Sequence, residues 1–367
     1  MASARRCGVY RSRRGCPAGT TGYCPHRSMA EPDLRSAPPG AEPGSGRRVT
    51  SDPPSSRPAP SSAFVPPEGS GLLWRLGGVI RTIRPHQWVK NVFVLAPVVF
   101  AKEIFDVALL EHATVAFLVF CLLAGAVYTM NDLADIEADQ RHPLKRYRPI
   151  ASGRVPVPVA RVLAGVLVVG SLSWAYYREP AFALVAAVYF AQNVAYSFKL
   201  KHVAYLDVGF IAAGFVLRVM GGGYATHTPV SNYLLVCTAL LALFLGFGKR
   251  RHELSAAAGK ASLQRAALEQ YSERGLDLAL AVTGVATVAT YLVYTLDPRT
   301  QAFFRSGNLW PSSLFVLLGV GRFLQLVKTR PKSESPTQEM LRDGPFVGIV
   351  LMWVVLVMWV VYRLKPG

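Results

Sequence analysis

Acidic and basic residues crowd into one short stretch of this 367-residue chain, Asn131 to Arg148, which reads NDLADIEADQRHPLKRYR. The stretch directly follows an apolar run that ends at Met130. If the helix continues past that run, aspartates at positions i, i+3 and i+7 share one face: Asp132, Asp135 and Asp139. Three stacked carboxylates repel one another unless a cation lies between them, and hard oxygen ligands suit Mg²⁺. The spacing therefore predicts a magnesium site.

Basic side chains follow the aspartates within a few residues. Lys145, Arg146 and Arg148 are of the residue types that hold the opposite side of a diphosphate. The combination predicts a Mg²⁺-diphosphate site in which these basic residues bind substrate and Asn131 joins the aspartates as a catalytic residue. The alternative is a solvated loop whose charges follow the ordinary charge rules of membrane proteins. Asn131 and the regular aspartate spacing favour the site.

The composition indicates the class of protein to which this charged stretch belongs. Hydrophobic residues make up 51% of the chain, yet its formal charge is +18. Apolar runs of ~20 residues, the length that spans a bilayer, recur along the sequence. We therefore predict an all-α polytopic membrane bundle. Its basic excess belongs in cytoplasmic loops beside anionic membrane lipids, so a nucleic-acid partner is not needed to explain it.

Nine transmembrane helices are predicted, and the charged loops between them fall on one side. The spans are 88–105, 113–131, 158–178, 180–196, 205–226, 230–248, 276–297, 311–328 and 344–364. Basic residues concentrate in loops 132–157, 197–204, 249–275 and 329–343. By the positive-inside tendency, these loops, the N-terminus and the aspartates lie on the cytoplasmic side of a bacterial plasma membrane.

The first 70 residues differ from the rest. Residues 1–70 are rich in Arg, Pro, Ser and Gly, contain no Lys and show no hydrophobic period. Such a segment buries too little apolar surface to offset its ordering entropy, so we predict a disordered tail followed by one catalytic transmembrane domain, residues 71–367. No apolar core of a secretory signal is present. An organellar transit peptide and a translation start at Met29 are alternatives that the sequence leaves open.

An amphipathic segment precedes the first span. Residues 72–90 place apolar side chains on one side of a helical wheel and arginines elsewhere, which predicts a helix lying at the membrane interface. Trp88 at the headgroup level is typical of an interfacial anchor. Gln87, Lys90 and Asn91 would overhang the same surface as the aspartates, so we predict that they bind substrate.

A second charged turn follows the fourth span. Tyr196, Lys199 and Lys201 lie within six residues of one another, where a bundle loop would face the same surface as the first turn. Tyrosine hydroxyl and lysine ammonium groups donate hydrogen bonds to phosphate oxygens. We predict that these three residues contact substrate.

The fifth span contains two ionisable residues. Asp207 and Arg218 are embedded in otherwise apolar helix, where such residues tend to face the bundle interior or a water-filled cavity. We predict that both bind substrate; for Arg218, snorkelling to the interface is the alternative. The run Gly221–Gly223 predicts either close helix packing or a break in the helix.

A third charged turn, KRRHE, closes the sixth span. Lys249, Arg250 and Glu253 lie on the face predicted for the aspartates and are candidate substrate-binding residues. Basic residues in this position most often determine topology, and that alternative applies to Lys249 and Arg250.

These turns together resemble the UbiA superfamily of intramembrane prenyltransferases. Asn131-Asp132-x-x-Asp135-x-x-x-Asp139 is similar to the first acidic motif of that family, and nine spans match its fold. Within the family, three segments look most like actinobacterial decaprenyl-phosphate phosphoribosyltransferases: RPHQWVKN at 84–91, KRYRPIASG at 145–153 and KRRHE at 249–253. The resemblance covers about residues 72–364.

The resemblance implies a reaction. An enzyme of this subfamily joins the phosphoribosyl group of phosphoribosyl pyrophosphate to decaprenyl phosphate and releases pyrophosphate, a step in decaprenylphosphoryl-arabinose synthesis for the arabinan of the cell wall. It implies Mg²⁺ on Asp132 and Asp135, with Asp139 as a further ligand or directly behind these two, and it is compatible with a homo-oligomer in the membrane.

The chain departs from the wider family at the second acidic motif. Asp207 is followed at the partner position by Ile211 instead of an aspartate, and Tyr196 is followed four residues later by Leu200 instead of a basic residue. One full and one half motif fit a single metal-diphosphate. The alternatives are a prenyl diphosphate:aromatic acceptor prenyltransferase and, in another class, a membrane transporter, which would place acidic residues near the middle of the bilayer.

Overall fold

The structure is a computed structural model that describes residues 71–198, 203–257, 270–329, 339–340 and 342–363. Over this part of the chain it contains helices and turns and no strand, so the all-α prediction is confirmed. The helices are α1 Leu72–Ile83, α2 Ala96–Phe100, α3 Val107–Ala134, α4 Ile136–Arg141, α5 Val157–Arg178, α6 Pro180–Phe198, α7 Leu206–Ala225, α8 Asn232–Ala257, α9 Glu273–Leu296, α10 Pro298–Phe304, α11 Ser312–Thr329 and α12 Gly344–Arg363. Residues 1–70 lie outside the described residues, so their disorder stays a prediction.

Seven of the described helices are long and apolar enough to cross a membrane: α3, α5, α7, α8, α9, α11 and α12. Their mean hydropathy ranges from 1.2 to 2.4. The chain is thus a multi-pass membrane protein. The predicted count of nine is not confirmed, because α6, at 19 residues, is not among the seven, and the first predicted span is not one helix.

The first predicted span, 88–105, consists instead of two short pieces. A 3₁₀-helical segment runs from Pro85 to Leu95 and is followed by the five-residue helix α2. Pro97 explains the division, because proline has no N–H to donate to a preceding turn and is tolerated only in the first turn of a helix. Asn91 and Val94, three residues apart, are buried on one face of the 3₁₀ segment, as its period of three residues requires.

The interfacial helix is shorter than the sequence predicted. Helix α1 ends at Ile83, and Arg84 adopts a left-handed conformation with φ 52° and ψ 64°. Pro85 causes this ending, since the residue before a proline is disfavoured in the α conformation. Leu72 and Leu73 remain exposed, as expected of a helix that places an apolar face in lipid. The turn directs the Arg84 side chain back to α3.

Helix α3 is the element around which the site is built. The Asp106 carboxylate caps its first turn by accepting hydrogen bonds from the amides of Ala108 and Leu109. Along its length, α3 packs against α5, α6, α7, α1 and the 3₁₀ segment. Phe120 lies at the centre of this contact, edge-on to Tyr189 with ring centroids 4.9 Å apart.

The glycine run in α7 permits a close approach of backbones. A Cβ on Gly222 would lie 1.9 Å from the carbonyl oxygen of Val94. The helix remains unbroken through Gly221–Gly223, so the run serves close packing and not a break. This contact fixes the 3₁₀ segment against α7 and thereby positions Lys90 and Asn91.

Candidate active site

The aspartate motif spans a junction between two helices. Helix α3 continues past Met130, the condition on which the shared face depended, and ends at Ala134. Asp135 then forms the joint, with φ −97° and ψ 10°, and α4 carries Asp139. Asp132 and Asp139 are each 2% exposed, whereas Asp135 is exposed. The continuous helix on which the single face of the three carboxylates depended is therefore interrupted at Asp135.

Two arginines hold the buried carboxylates. One nitrogen of Arg148, Nη1, lies 2.7 Å from Asp139 Oδ2 and 3.2 Å from Asp132 Oδ1. Arg84 Nη2 lies 2.6 Å from the same oxygen of Asp132. Buried carboxylates require such partners, because the transfer of an unpaired charge from water to the protein interior costs several kcal/mol of free energy per ion. Sequence reasoning did not assign Arg84 to the site; its signal was the arginine before a proline at the end of an amphipathic helix.

The donor set fits a hard divalent cation. Carboxylate oxygens are the ligands that Mg²⁺ takes in proteins, and Asp132 and Asp139 present two of them to one point, now filled by a guanidinium nitrogen. In the part of the chain that the structure describes, no three acidic, histidine or cysteine side chains already form a metal cluster. A metal would therefore meet two carboxylates, with Asp135 nearby in sequence, once Arg148 moves aside.

The basic residues of the first turn have different positions. Lys145 begins a short 3₁₀ turn, Lys145–Tyr147, and is exposed. His142 holds this turn, its Nδ1 accepting hydrogen bonds from two amide groups at 3.2 Å each. Arg146 donates to the Tyr147 hydroxyl at 3.1 Å. Arg148, the third predicted phosphate ligand, contacts Asp132 and Asp139.

Three other cations act electrostatically on Lys90. Lys90 belongs to the 3₁₀ segment, outside the seven spanning helices, and its side chain keeps contact with solvent although protein surrounds much of it. Burial, followed by the neighbouring cations Lys249, Arg218 and Arg84, lowers the pKa of the Lys90 ammonium to about 8. Three cations that act on Lys90 in this way favour an anion beside it.

Arg218 faces the bundle interior and does not snorkel. Its guanidinium donates to Asn91 Oδ1 at 2.7 Å, to the Tyr189 hydroxyl at 2.7 Å and to the Gly214 carbonyl at 2.8 Å. The guanidinium carbon also lies 4.7 Å from the centre of the Tyr189 ring, a cation–π distance. All of these partners are neutral. Asn91, 1% exposed, therefore orients Arg218 and does not itself overhang a surface, while Gln87 is half-buried.

The second acidic position is tied into a separate ionic network. Asp207, fully buried, lies 2.8 Å from Arg250 Nε and accepts a 2.5 Å hydrogen bond from the Tyr271 hydroxyl. Arg250 also pairs closely with Glu253, and Lys249 lies 3.9 Å from Glu253. The structure thus places Asp207, Arg250 and Glu253 against one another. This network connects the start of α7 with the end of α8 and the segment before α9.

Three predicted residues belong to the second turn. Tyr196 lies in the last turns of α6, half-buried and close enough to Arg250 for an electrostatic interaction. Lys199 and Lys201 lie outside the described residues, so their predicted role is not tested.

The Asp207 network gives a stability prediction. In Asp207→Asn, the buried Arg250 keeps Glu253 but loses its second carboxylate, and we expect a loss of about 2–3 kcal/mol in the free energy of unfolding. Thermal unfolding of the detergent-solubilised protein measures this loss. An unchanged midpoint together with a raised KM would instead assign Asp207 to substrate binding. The matched control is Asp277→Asn, which removes a half-exposed partner of Arg251 and is expected to change stability by less than about 1 kcal/mol.

The structure is thus a multi-pass helical bundle that places buried carboxylates and arginines together at the end of one of its spanning helices. The chain belongs to the UbiA prenyltransferase family, whose sequence model matches residues 92–342.

Two curated relatives carry one name. The decaprenyl-phosphate phosphoribosyltransferase of Mycolicibacterium smegmatis is 40% identical over 222 residues, covering 59% of this chain and 69% of that protein. The protein of the same name from Corynebacterium glutamicum is 33% identical over 290 residues, covering 78% of this chain and 87% of that protein. These matches support the predicted subfamily and indicate a transferase.

Solved structures share the fold. A UbiA homolog from Archaeoglobus fulgidus bound to DMAPP and Mg²⁺ superposes with a TM-score of 0.56 at 19% identity, covering 78% of this chain and all of that one. A structure described for digeranylgeranylglyceryl phosphate synthase gives a TM-score of 0.56 at 15% identity, covering 78% of this chain and 99% of that one. At these identities the likeness concerns the fold alone.

Proposed function

We propose that this protein transfers the 5-phosphoribosyl group from phosphoribosyl pyrophosphate to decaprenyl phosphate, or a similar polyprenyl phosphate, and releases pyrophosphate. The observation that carries the proposal is the buried pair Asp132 and Asp139 held against Arg84 and Arg148, in a chain whose relatives bear the name of this activity. Asp207 is engaged by Arg250 and Tyr271. Asp207 also lacks a partner aspartate, since Ile211 stands at that position, so we assign the one metal-bound diphosphate, which leaves as pyrophosphate, to Asp132 and Asp139.

The reaction needs little acid–base chemistry. The bond from ribose C1 to the pyrophosphate oxygen breaks, and its electron pair leaves with pyrophosphate. A phosphate oxygen of the acceptor forms the new bond to C1 from the opposite side, which inverts that centre. Because the second pKa of a phosphate monoester is ~6, the acceptor is already an anion and requires no strong base. Catalysis then rests on alignment and on neutralising the leaving group.

The chain's own residues divide this work. Asp132, with Asp135 and Asp139, would hold Mg²⁺, which neutralises charge on the departing pyrophosphate when bound. Arg84 and Arg148 would hold diphosphate oxygens from the other side, with Lys145 and Arg146 on the adjoining turn. Lys90, supported by Lys249 and Arg218, would hold the second phosphate at the place where cations converge. The lipid tail would extend among the apolar spans.

A donor assay tests the proposal. Purified protein in detergent with Mg²⁺ receives radiolabelled phosphoribosyl pyrophosphate and decaprenyl phosphate, and we expect label in a lipid product that EDTA abolishes. A parallel reaction offers a prenyl diphosphate and an aromatic acid. Prenylation of the aromatic acid without label transfer to lipid would overturn the substrate assignment in favour of an aromatic prenyltransferase.

We further propose that the aspartates and the N-terminus face the cytoplasm of a bacterial plasma membrane, following the basic loops.

The lowered pKa of Lys90 predicts a pH dependence. Lys90 is protonated below about pH 8 and neutral above it. The apparent affinity for whichever substrate phosphate Lys90 contacts should therefore fall about tenfold between pH 7 and pH 9, as the ammonium loses its charge. The measurement is 1/KM for each substrate across this range, which lies above the second phosphate pKa of ~6. Lys90→Arg keeps its charge and should give a flat profile. A falling profile in that variant parallel to the wild-type one would exclude Lys90 as the titrating group.

A further inference from the structure

The buried carboxylates and their arginines are balanced in charge. Asp132 and Asp139 supply two negative charges, and Arg84 and Arg148 supply two positive ones, at distances of 2.6 to 3.2 Å. Both carboxylates are 2% exposed, and the two guanidinium side chains are only 24% and 28% exposed. Asp135 also acts electrostatically on Asp132, but Asp135 is exposed and water screens it. The cluster is therefore close to neutral as it stands.

A divalent cation entering alone would disturb this balance. It would compete with the Arg148 guanidinium for the two carboxylates that Nη1 contacts, Asp132 and Asp139. It would also leave two excess positive charges in a buried cluster, beside the further cation Lys90. A diphosphate entering alone meets the converse difficulty, because the arginines that should receive it are engaged by carboxylates. Each ligand removes the obstacle to the other.

We propose that Arg148, assisted by Arg84, holds the metal position in the unliganded protein and exchanges its carboxylate partners for diphosphate oxygens when metal and diphosphate bind together. This rests on the proposed function, since it takes the diphosphate to be that of the donor. Arg148 is thus a positioning residue that makes the binding of cation and anion mutually dependent. By linkage, whatever factor the anion adds to the affinity of the cation, the cation adds to the affinity of the anion.

The first test uses the metal without substrate. Mn²⁺ is titrated into the purified full-length chain in detergent, and free Mn²⁺ is read by electron paramagnetic resonance. Arg148→Gln removes the competing cation and leaves a net negative charge between Asp132 and Asp139, so it should bind Mn²⁺ at least about tenfold more tightly than the wild type. Equal Mn²⁺ affinity in the two proteins would overturn the proposal.

The second test uses the anion without metal. Inorganic pyrophosphate is titrated calorimetrically in excess EDTA. Asp139→Asn releases Arg148 from its 2.7 Å ion pair, and this variant should bind pyrophosphate at least about tenfold more tightly than the wild type. An unchanged pyrophosphate affinity in Asp139→Asn would mean that the Asp139 carboxylate does not keep Arg148 from binding the anion. The proposed exchange of partners by Arg148 would then be wrong.

Matched controls separate exchange from net charge. Arg141→Gln and Glu137→Gln make the same changes in charge on α4, where the two side chains are exposed and lie 3.8 Å apart. Neither variant should change the affinity for Mn²⁺ or pyrophosphate by more than about twofold. Changes as large as those expected at Arg148 and Asp139 would mean that net charge alone explains the altered affinities, and the proposed exchange would be wrong. If Arg148→Gln does not fold, Arg84→Gln asks the same question from the other side of Asp132 Oδ1. Neither titration uses a ribosyl donor or a lipid, so both remain decisive if the transfer assay fails.

Discussion

Replacement of Asp132 by asparagine should reduce phosphoribosyl transfer by about 10³-fold. The substitution keeps the shape of the side chain but removes the charge that contacts both Arg84 and Arg148 and that would hold the metal. The measurement is the initial rate of label transfer from phosphoribosyl pyrophosphate to lipid. The loss should fall on kcat, because the charge that builds up on the leaving pyrophosphate is no longer neutralised.

The matched control for Asp132 is Glu137→Gln. Glu137 is an exposed carboxylate of the same motif, five residues along the chain, and its ion pair with Arg141 is long, at 3.8 Å. This variant should keep at least half of the wild-type rate, since an exposed pair contributes little. A folded Asp132→Asn protein that retains more than about a tenth of the wild-type rate would contradict the assignment of Asp132 as a metal ligand.

Gly222→Ala should prevent the bundle from assembling. The added Cβ would lie 1.9 Å from the carbonyl oxygen and 2.9 Å from the carbonyl carbon of Val94, both backbone atoms of the 3₁₀ segment. Backbone cannot yield as a flexible side chain can, so we expect a loss of more than about 3 kcal/mol in the free energy of unfolding. The measurements are the yield of monodisperse protein in size-exclusion chromatography and its thermal midpoint.

Gly209→Ala in the same helix provides the comparison. A Cβ there would meet nothing within 4 Å, and alanine favours a helix by up to about 1 kcal/mol over glycine. This variant should be as stable as the wild type or more so. Equal stability of the two alanine variants would mean that α7 and the 3₁₀ segment do not approach as closely as described. The positions of Lys90 and Asn91 would then have to be reconsidered.

Periodicity and composition were enough to predict much of the architecture. Apolar runs of bilayer length predicted a helical membrane bundle, because a chain in lipid must satisfy its backbone hydrogen bonds within each helix. The aspartate spacing indicated that Asp132 and Asp139 would share one face if α3 continued past Met130, and the structure buries both. The resemblance of the motif at 131–139 to one family pointed to the family that the comparisons then established.

Local breaks could not be read from hydropathy. The pattern over 88–105 is as apolar as that of a spanning helix, yet the chain forms a 3₁₀ segment followed by a short helix there. Pro97 divides the two pieces, and Gly222 lies in close contact with the backbone of the 3₁₀ segment. Likewise, the inference that the three aspartates share one face assumed one continuous helix. The joint at Asp135 exposes that residue while it leaves its two neighbours in the motif buried.

The sequence by itself determined which residue types were present for chemistry: carboxylates for a hard cation, and arginines and lysines for phosphates. Only the tertiary structure decided which of them face one another. The sequence predicted Asp207 and Arg250 as separate substrate ligands, and the structure pairs them with each other in the interior. Arg84 looked like the end of an interfacial helix, but its left-handed turn directs it to Asp132. A buried charge takes whichever partner the packing brings within reach, and that choice depends on contacts between residues distant in the chain.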